Sequence, residues 1–397
     1  LWLHGSWQMV AVAAQRIYWG ATSFVLLAVP FFILSGFLMN SSGMTKRITD
    51  FAELLVGRFT GGMGHVNVLT SMIFAGMSGS SVADASGVGV IEMEMMRKAG
   101  YDEAFSAAIT AASATIGPVI PPSIPFVIYG AMTGTSVGKL FLAGIMPGMC
   151  MGIALMIAVY IVARKRGYKR IERRYTFRET LRVLLNGLIA SGSFIIIIGG
   201  ILSGFFTPTE AGIVACLYAL LIGFIVYREL KMSDFIKILW VSVQSSVKIL
   251  FIVGTAAFFS YSLTLMKAPQ LVASYLGGLT HNPYLFLLAV NVILLILGCF
   301  METISIMLLT VPVLLPIART IGIDPVHFGV VVTLNLMIGQ LTPPVGVLLY
   351  AVTTVSKAPL KEILRELWPY LIALLLVLVA VTYWPSLVMW IPRRVFP

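Results

Sequence analysis

Met77-Ser78-Gly79-Ser80-Ser81 and Gly117-Pro118-Val119-Ile120-Pro121-Pro122-Ser123 are the two stretches that decide how this chain folds. Both lie inside long apolar runs, and both are built to break a helix. Gly reaches backbone conformations closed to other residues, while Pro removes a donor and disfavours helical geometry in the residue before it. Broken backbone at membrane depth is tolerated only where protein buries it or where it lines a cavity. Freed carbonyls and small hydroxyls there suit a small cation, and freed helix N-termini suit an anion. The same pairing recurs near Glu302 and at Gly339 to Val345.

Composition supplies the surroundings. Of 397 residues, 59% are hydrophobic and 11% charged, against about 25% charged in a soluble domain. The chain is expected to be an all-α polytopic membrane protein. Its net charge of +11 lies in short loops between apolar spans, which is the positive-inside pattern and argues against nucleic acid as a partner. Cys150, Cys216 and Cys299 sit in apolar runs and give neither a disulfide framework nor metal spacing. His4, His65, His281 and His327 are scattered, without ligand spacing. No Walker lysine follows the Gly-Gly pairs at 61–62, 199–200 and 277–278. An intramembrane enzyme would need a nucleophile and base or a metal pair, and neither His-Glu-x-x-His nor Gly-x-Ser-x-Gly occurs. A channel would need a continuous polar lining, whereas these polar sites look closed and paired.

Along the chain, a first span is read at Ala21–Met39 and an interfacial amphipathic piece at Met44–Phe59, with Ile48, Phe51, Leu55 and Phe59 on one face. A helical hairpin covers 65–97, interrupted at Gly76–Ser81, and Glu92, Glu94, Arg97 and Lys98 after it mark water. A span cut in the middle covers 103–134, and an ordinary span follows at Val137–Val162. Arg164 to Arg182 carries nine Lys/Arg against Glu172 and Glu179 and is placed in the cytoplasm. Leu184–Phe206, Pro208–Tyr227 and Trp240–Met266 read as spans, with Lys231–Leu239 and Pro269–Leu279 interfacial. A second hairpin covers 283–321 and a second cut span 325–354. Lys357–Leu367 reads as interfacial and Trp368–Met389 as the last span. Trp2, Trp7, Trp19, Trp368, Trp384 and Trp390 fall near span ends, as an aromatic belt would.

A shift of 222 residues superposes the chain on itself: Gly100 and Asp102 fall on Gly322 and Asp324, Gly117 on Gly339, Pro121 and Pro122 on Pro343 and Pro344, and Pro147 on Pro369. Five crossings separate the span at Ala21 from its equivalent near Val243, counting a re-entrant hairpin as none. That odd number makes the second copy inverted in the membrane, a signature of secondary transporters. The expected organisation is a first inverted repeat at 1–162, a cytoplasmic basic linker at 163–183 and a second inverted repeat at 184–397. The span at 208–227 has no equivalent in the first copy, so the repeat predicts one further N-terminal helix.

Val29-Pro30-Phe31-Phe32-Ile33-Leu34-Ser35-Gly36, Phe74 through Asp84, Thr115 through Pro125, Gly322-Ile323-Asp324-Pro325-Val326-His327-Phe328-Gly329 and Leu341-Thr342-Pro343-Pro344-Val345-Gly346 resemble the large membrane subunit of TRAP transporters, the tripartite ATP-independent periplasmic family. The resemblance runs over essentially the whole chain. It implies an elevator-type, sodium-coupled importer of a small organic acid in the bacterial inner membrane, with no cofactor beyond the coupling ions. It also implies two partners, a small membrane subunit and a periplasmic substrate-binding protein. The nearest alternative of similar architecture is a stand-alone divalent-anion/sodium symporter, which would transport without a binding protein.

For the sites, the resemblance points to a first sodium held by Ser78 and Ser80 with the carbonyls of Gly117, Ile120 and Pro122. Symmetry puts a second near Glu302, Gly339, Thr342 and Pro344. Small residues such as Ser78, Gly79 and Ser80 also serve close helix packing, but the facing break and the second copy favour ion binding. Asp84 and Glu302 are ionisable groups in apolar surroundings, where such groups are costly and usually functional; Asp84 could instead cap a half-helix. Asn335 either braces the broken backbone or reaches substrate. Gly79, Ser81, Ser123 and Thr303 complete the candidate substrate- and ion-binding set.

Overall fold

Helices stop at the Gly79 turn and at the two breaks that close on Pro-Pro, whereas single Gly and Pro residues such as Pro147 and Gly192 are carried inside long helices. The computed structural model describes residues 8–173, 175–267 and 282–396. Pro269–Leu279, His4, His281, Trp2 and Trp7 lie outside the described residues. Among those described, seven helices are long and apolar enough to cross a membrane, in keeping with a polytopic membrane protein.

The chain opens with α1 (Gln8–Ala21), continues through a 3-10 turn into α2 (Ala28–Ser41), and turns at Gly43 into α3 (Met44–Val56). On α3, Met44, Ile48 and Ala52 are buried, while Leu55 is exposed, as is Phe59 beyond the helix end. The expected stripe is therefore split between a packed and an outward face. The first hairpin is α4 (Gly62–Ser78), α5 (Ser81–Ser86) and α6 (Val88–Lys98). Gly76 does not interrupt it; the turn falls at Gly79 and Ser80, and a second break at Gly87 separates α5 from α6. Glu94, Arg97 and Lys98 are exposed, but Glu92 is buried and does not mark water.

The first cut span is α7 (Glu103–Ala114) and α8 (Ile124–Thr133), separated by the break at 115–123. Helix α9 (Val137–Arg166) accommodates Pro147 within it. After the basic segment come α10 (Phe177–Leu202), opened by a Thr176–Glu179 capping box, and α11 (Pro208–Leu221), opened by a Thr207–Glu210 capping box. The expected division at Leu239/Trp240 does not exist: α12 runs unbroken over Met232–Leu265. No Gly or Pro lies near the expected junction, and charge alone does not end a helix.

The second hairpin is α13 (Pro283–Gly298) and α14 (Thr303–Thr320), and the second cut span is α15 (Pro325–Gly339) and α16 (Val347–Val355). The expected boundary at Leu367/Trp368 is likewise absent, since α17 runs from Leu360 to Tyr383 through Pro369. It ends at Trp384, before the Pro that opens α18 (Pro385–Val395). Trp19, Trp240, Trp368, Trp384 and Trp390 are all exposed, as interfacial anchors are.

The packing falls into two groups. Helices α1, α2, α3, α10, α11 and α12 pack on one another, and Arg47 of α3 pairs with Glu229 at 2.8 Å and lies over the Tyr227 ring. The hairpins and cut spans form the other group together with α9, α17 and α18, which pack on α4, α7 and α15. Arg166 at the end of α9 meets Glu366 of α17 at 2.5 Å and Asp102 ahead of α7 at 3.3 Å, joining three elements of that group. The groups meet chiefly where α4 touches α2, α3 and α10, and where α12 touches α14.

Candidate functional site

Ser78 ends α4 and Ser80 begins α5, so the hairpin tip is a two-residue reversal around Gly79. Gly79 has φ +61°, and a Cβ there would lie 2.6 Å from the carbonyl oxygen of Pro122. Only glycine lets the tip approach the broken backbone that closely. Ser80 caps α5, accepting from the N–H of Ala83 at 3.4 Å. The Ser78 hydroxyl donates to Oδ1 of Asp84 in a short bond. Asp84 thus caps no helix; it fixes the direction of the Ser78 hydroxyl, whose oxygen accepts from the Ser80 N–H at 3.4 Å and keeps one lone pair to face an ion.

The facing break, 115–123, is buried throughout. Ser123 caps α8 by accepting from the N–H of Phe126 at 3.2 Å, and it donates to the carbonyl of Pro118. Among the described residues, no hydrogen bond ends on the carbonyls of Gly117, Ile120 or Pro122. Those three oxygens and the two serine hydroxyls fit a small, hard cation, which takes oxygen ligands.

The second pair is built differently. Glu302 caps α14, accepting from the N–H groups of Ile304 at 2.9 Å and Ser305 at 3.3 Å. Glycines 298 and 339 touch: a Cβ on either would lie 2.8 Å from the other's Cα. The Gly339 carbonyl accepts from the Thr342 N–H at 2.9 Å, and the Thr342 hydroxyl donates to Ile338 at 3.0 Å. Pro344 is exposed, unlike Pro122. Asn335 is fully buried and donates to Asn291 at both its carbonyl (3.0 Å) and side-chain oxygen (2.8 Å), so it braces the cut span against the hairpin.

The two tips meet across Gln340. Ser81 donates to its side-chain oxygen at 2.9 Å, and its amide donates to the Thr303 hydroxyl at 2.6 Å. Gly79, Ser80, Ser81, Glu302, Thr303 and Gln340 line one cavity of about 330 Å³. Sequence reasoning missed Gln340 as a site residue. Its only signal was a polar side chain inside a break, and its two partners lie 259 and 37 residues away. Among the described residues, no three His, Cys, Asp or Glu gather as a metal cluster.

Residues 1–387 match the family model of the tripartite ATP-independent periplasmic transporters, DctM component. The chain belongs to that family. It is 46% identical over 381 residues to the sialic acid TRAP transporter large permease protein SiaM of Vibrio cholerae, covering 96% of this chain and 89% of that one. Over 382 residues it is 41% identical to the C4-dicarboxylate TRAP transporter large permease protein DctM of Pseudomonas aeruginosa, with the same shares covered. It is 39% identical over 379 residues to the 2,3-diketo-L-gulonate TRAP transporter large permease protein YiaN of Escherichia coli, covering 96% and 89%. Among solved structures, the Alcanivorax borkumensis YdaH transporter shares its fold at a TM-score of 0.66 and 14% identity, covering 96% of this chain and 88% of that one. As a TRAP large permease, the chain is a multi-pass inner-membrane transport component and not an enzyme, and its family is tripartite by description.

Proposed function

We propose that this TRAP permease imports a small organic acid coupled to sodium by an elevator motion. The observation that carries the reading is the single cavity between two hairpin tips, each set against a helix break and bridged by Gln340. Sodium binds at Ser78 and Ser80 with the carbonyls of Gly117, Ile120 and Pro122, and a second ion near Glu302, Gly339, Thr342 and Pro344. The substrate carboxylate lies between the tips, near Ser81 and Thr303, at the N-termini of α5 and α14. The named relatives handle sialic acid, C4-dicarboxylates and 2,3-diketo-L-gulonate, which supports a carboxylate as cargo.

A repeat is supported by helix starts: Glu103 and Pro325, Ile124 and Val347, and Val137 and Leu360 keep the 222-residue offset within one residue. An elevator in which only the hairpins and cut spans move would leave every uncut span in the scaffold. The packing supports a different division, in which α9 and α17 travel with the hairpins and cut spans while α1–α3 and α10–α12 stay fixed. A small membrane subunit and a periplasmic binding protein complete the transporter, the latter delivering substrate to the outward-facing form.

The test is uptake into proteoliposomes holding the permease and its small subunit, with the binding protein outside. Candidate acids are screened with and without a sodium gradient. Uptake of one acid only with both binding protein and sodium present is the expected result; sodium-independent uptake would overturn the coupling, and uptake without the binding protein would favour a stand-alone symporter.

A further inference from the structure

Behind the first hairpin tip lies a second set of oxygen ligands. Asp84 is 3% exposed, Glu92 2% and Thr70 fully buried. Oδ2 of Asp84, both carboxylate oxygens of Glu92 and the Thr70 hydroxyl have no hydrogen-bond partner. Thr70 neighbours the Glu92 carboxylate but stands outside hydrogen-bonding geometry, and the charged neighbour acting on Glu92 is Asp84, another acid. The polar groups nearby are already committed. Asn67 donates to Thr110 at 2.8 Å and accepts from Ser113 at 2.7 Å, and Ser71 donates to Ser113 at 3.0 Å. That ladder ties α4 to α7 and offers Glu92 no donor.

Two buried carboxylates that act on each other electrostatically, without a donor or a basic partner, are strongly unfavourable as anions, so either a proton or a cation must neutralise them. We propose that Asp84, Glu92 and Thr70 bind one sodium ion behind the tip, separate from the ion at Ser78 and Ser80. The four oxygens are all hard acceptors. With two carboxylates and no His or Cys they are a poor set for a transition metal. Charge balance points the same way. Asp84 reaches the tip through Oδ1, which holds the Ser78 hydroxyl, and leaves Oδ2 unpaired beside Gly117 of the facing break. Two monovalent cations then neutralise two carboxylates. This balance rests on the tip sodium proposed above. The rear ion would tie α4 to α5 and α6 and stiffen the hairpin that holds the tip.

The experiment is equilibrium binding of radioactive sodium to the intact permease with its small subunit in lipid nanodiscs at fixed pH. Glu92→Gln is expected to lose one sodium per permease and keep the tip ion. The double variant Ser78→Ala, Ser80→Ala is expected to lose the tip ion and keep the rear one, so the two readings fail separately. Should Glu92→Gln not fold, Thr70→Val serves, with rear-site affinity lowered about tenfold for the loss of one neutral ligand. Wild-type stoichiometry and affinity in both Glu92→Gln and Thr70→Val would overturn the site. So would release of a proton from Glu92→Gln-sensitive titration in place of sodium binding.

Discussion

Ser78 serves two partners with one hydroxyl. Its proton goes to Asp84 and its oxygen accepts from the Ser80 N–H at 3.4 Å, which leaves one lone pair for the tip. Ser78→Ala or Ser80→Ala is therefore expected to raise the sodium concentration needed for half-maximal uptake by about tenfold, one neutral ligand's worth, while insertion is unaffected; an unchanged sodium response in both would exclude this site. Asn335 has the opposite character. Its amide nitrogen is committed to Asn291 while its own side-chain oxygen has no partner, so Asn335→Leu leaves the Asn291 side-chain oxygen without its donor and should cost about 1–3 kcal/mol, read as lower thermal stability in detergent. Wild-type stability would mean that the brace contributes nothing. Asp84, Glu302 and Ser123 were visible in the sequence as polar residues at apolar depth. Glu92 was not, because Arg97 and Lys98 follow it closely and the run reads as a solvated end. The packing of α6 against α4 and α7 turns that one residue inward.

At the scale of elements, the breaks were legible because Gly and Pro act locally: helices end at or just before Gly79, Gly117, Gly298 and Gly339. The long helices were not, because a cluster of charges lowers the local hydropathy without ending a helix, and α12 and α17 run through such clusters. The contact of α13 with the second break is backbone on backbone at Gly298 and Gly339, so no side-chain adjustment can relieve an added group. Gly298→Val is expected to force hairpin and cut span apart and abolish uptake. The control is Gly199→Val, where a Cβ meets nothing within 4 Å; equal loss in both variants would show that helix propensity, not the close approach, is responsible.

For the whole molecule, the two packing groups turn an elevator into a specific geometric statement. If α4 moves past α10 while α9 travels with it, contacts across the first pair must change and those across the second must not. A Cβ on Gly76 would lie 3.1 Å from Cβ of Phe194 on α10, and one on Gly64 would lie 2.8 Å from Cγ1 of Val159 on α9. Both pairs are near enough for a disulfide with small adjustment, once Cys150, Cys216 and Cys299, all free, are replaced. Oxidising Gly76→Cys with Phe194→Cys should stop uptake and reduction should restore it, whereas Gly64→Cys with Val159→Cys should transport in either redox state. Sodium and membrane potential bias the motion only through their different energies in its two end states, the potential by roughly 2.3 kcal/mol per charge per 100 mV. A lock between α4 and α10 would therefore hold against any gradient applied. If instead the α4–α9 link blocks uptake and the α4–α10 link does not, α9 belongs to the fixed part and the hairpin gates locally.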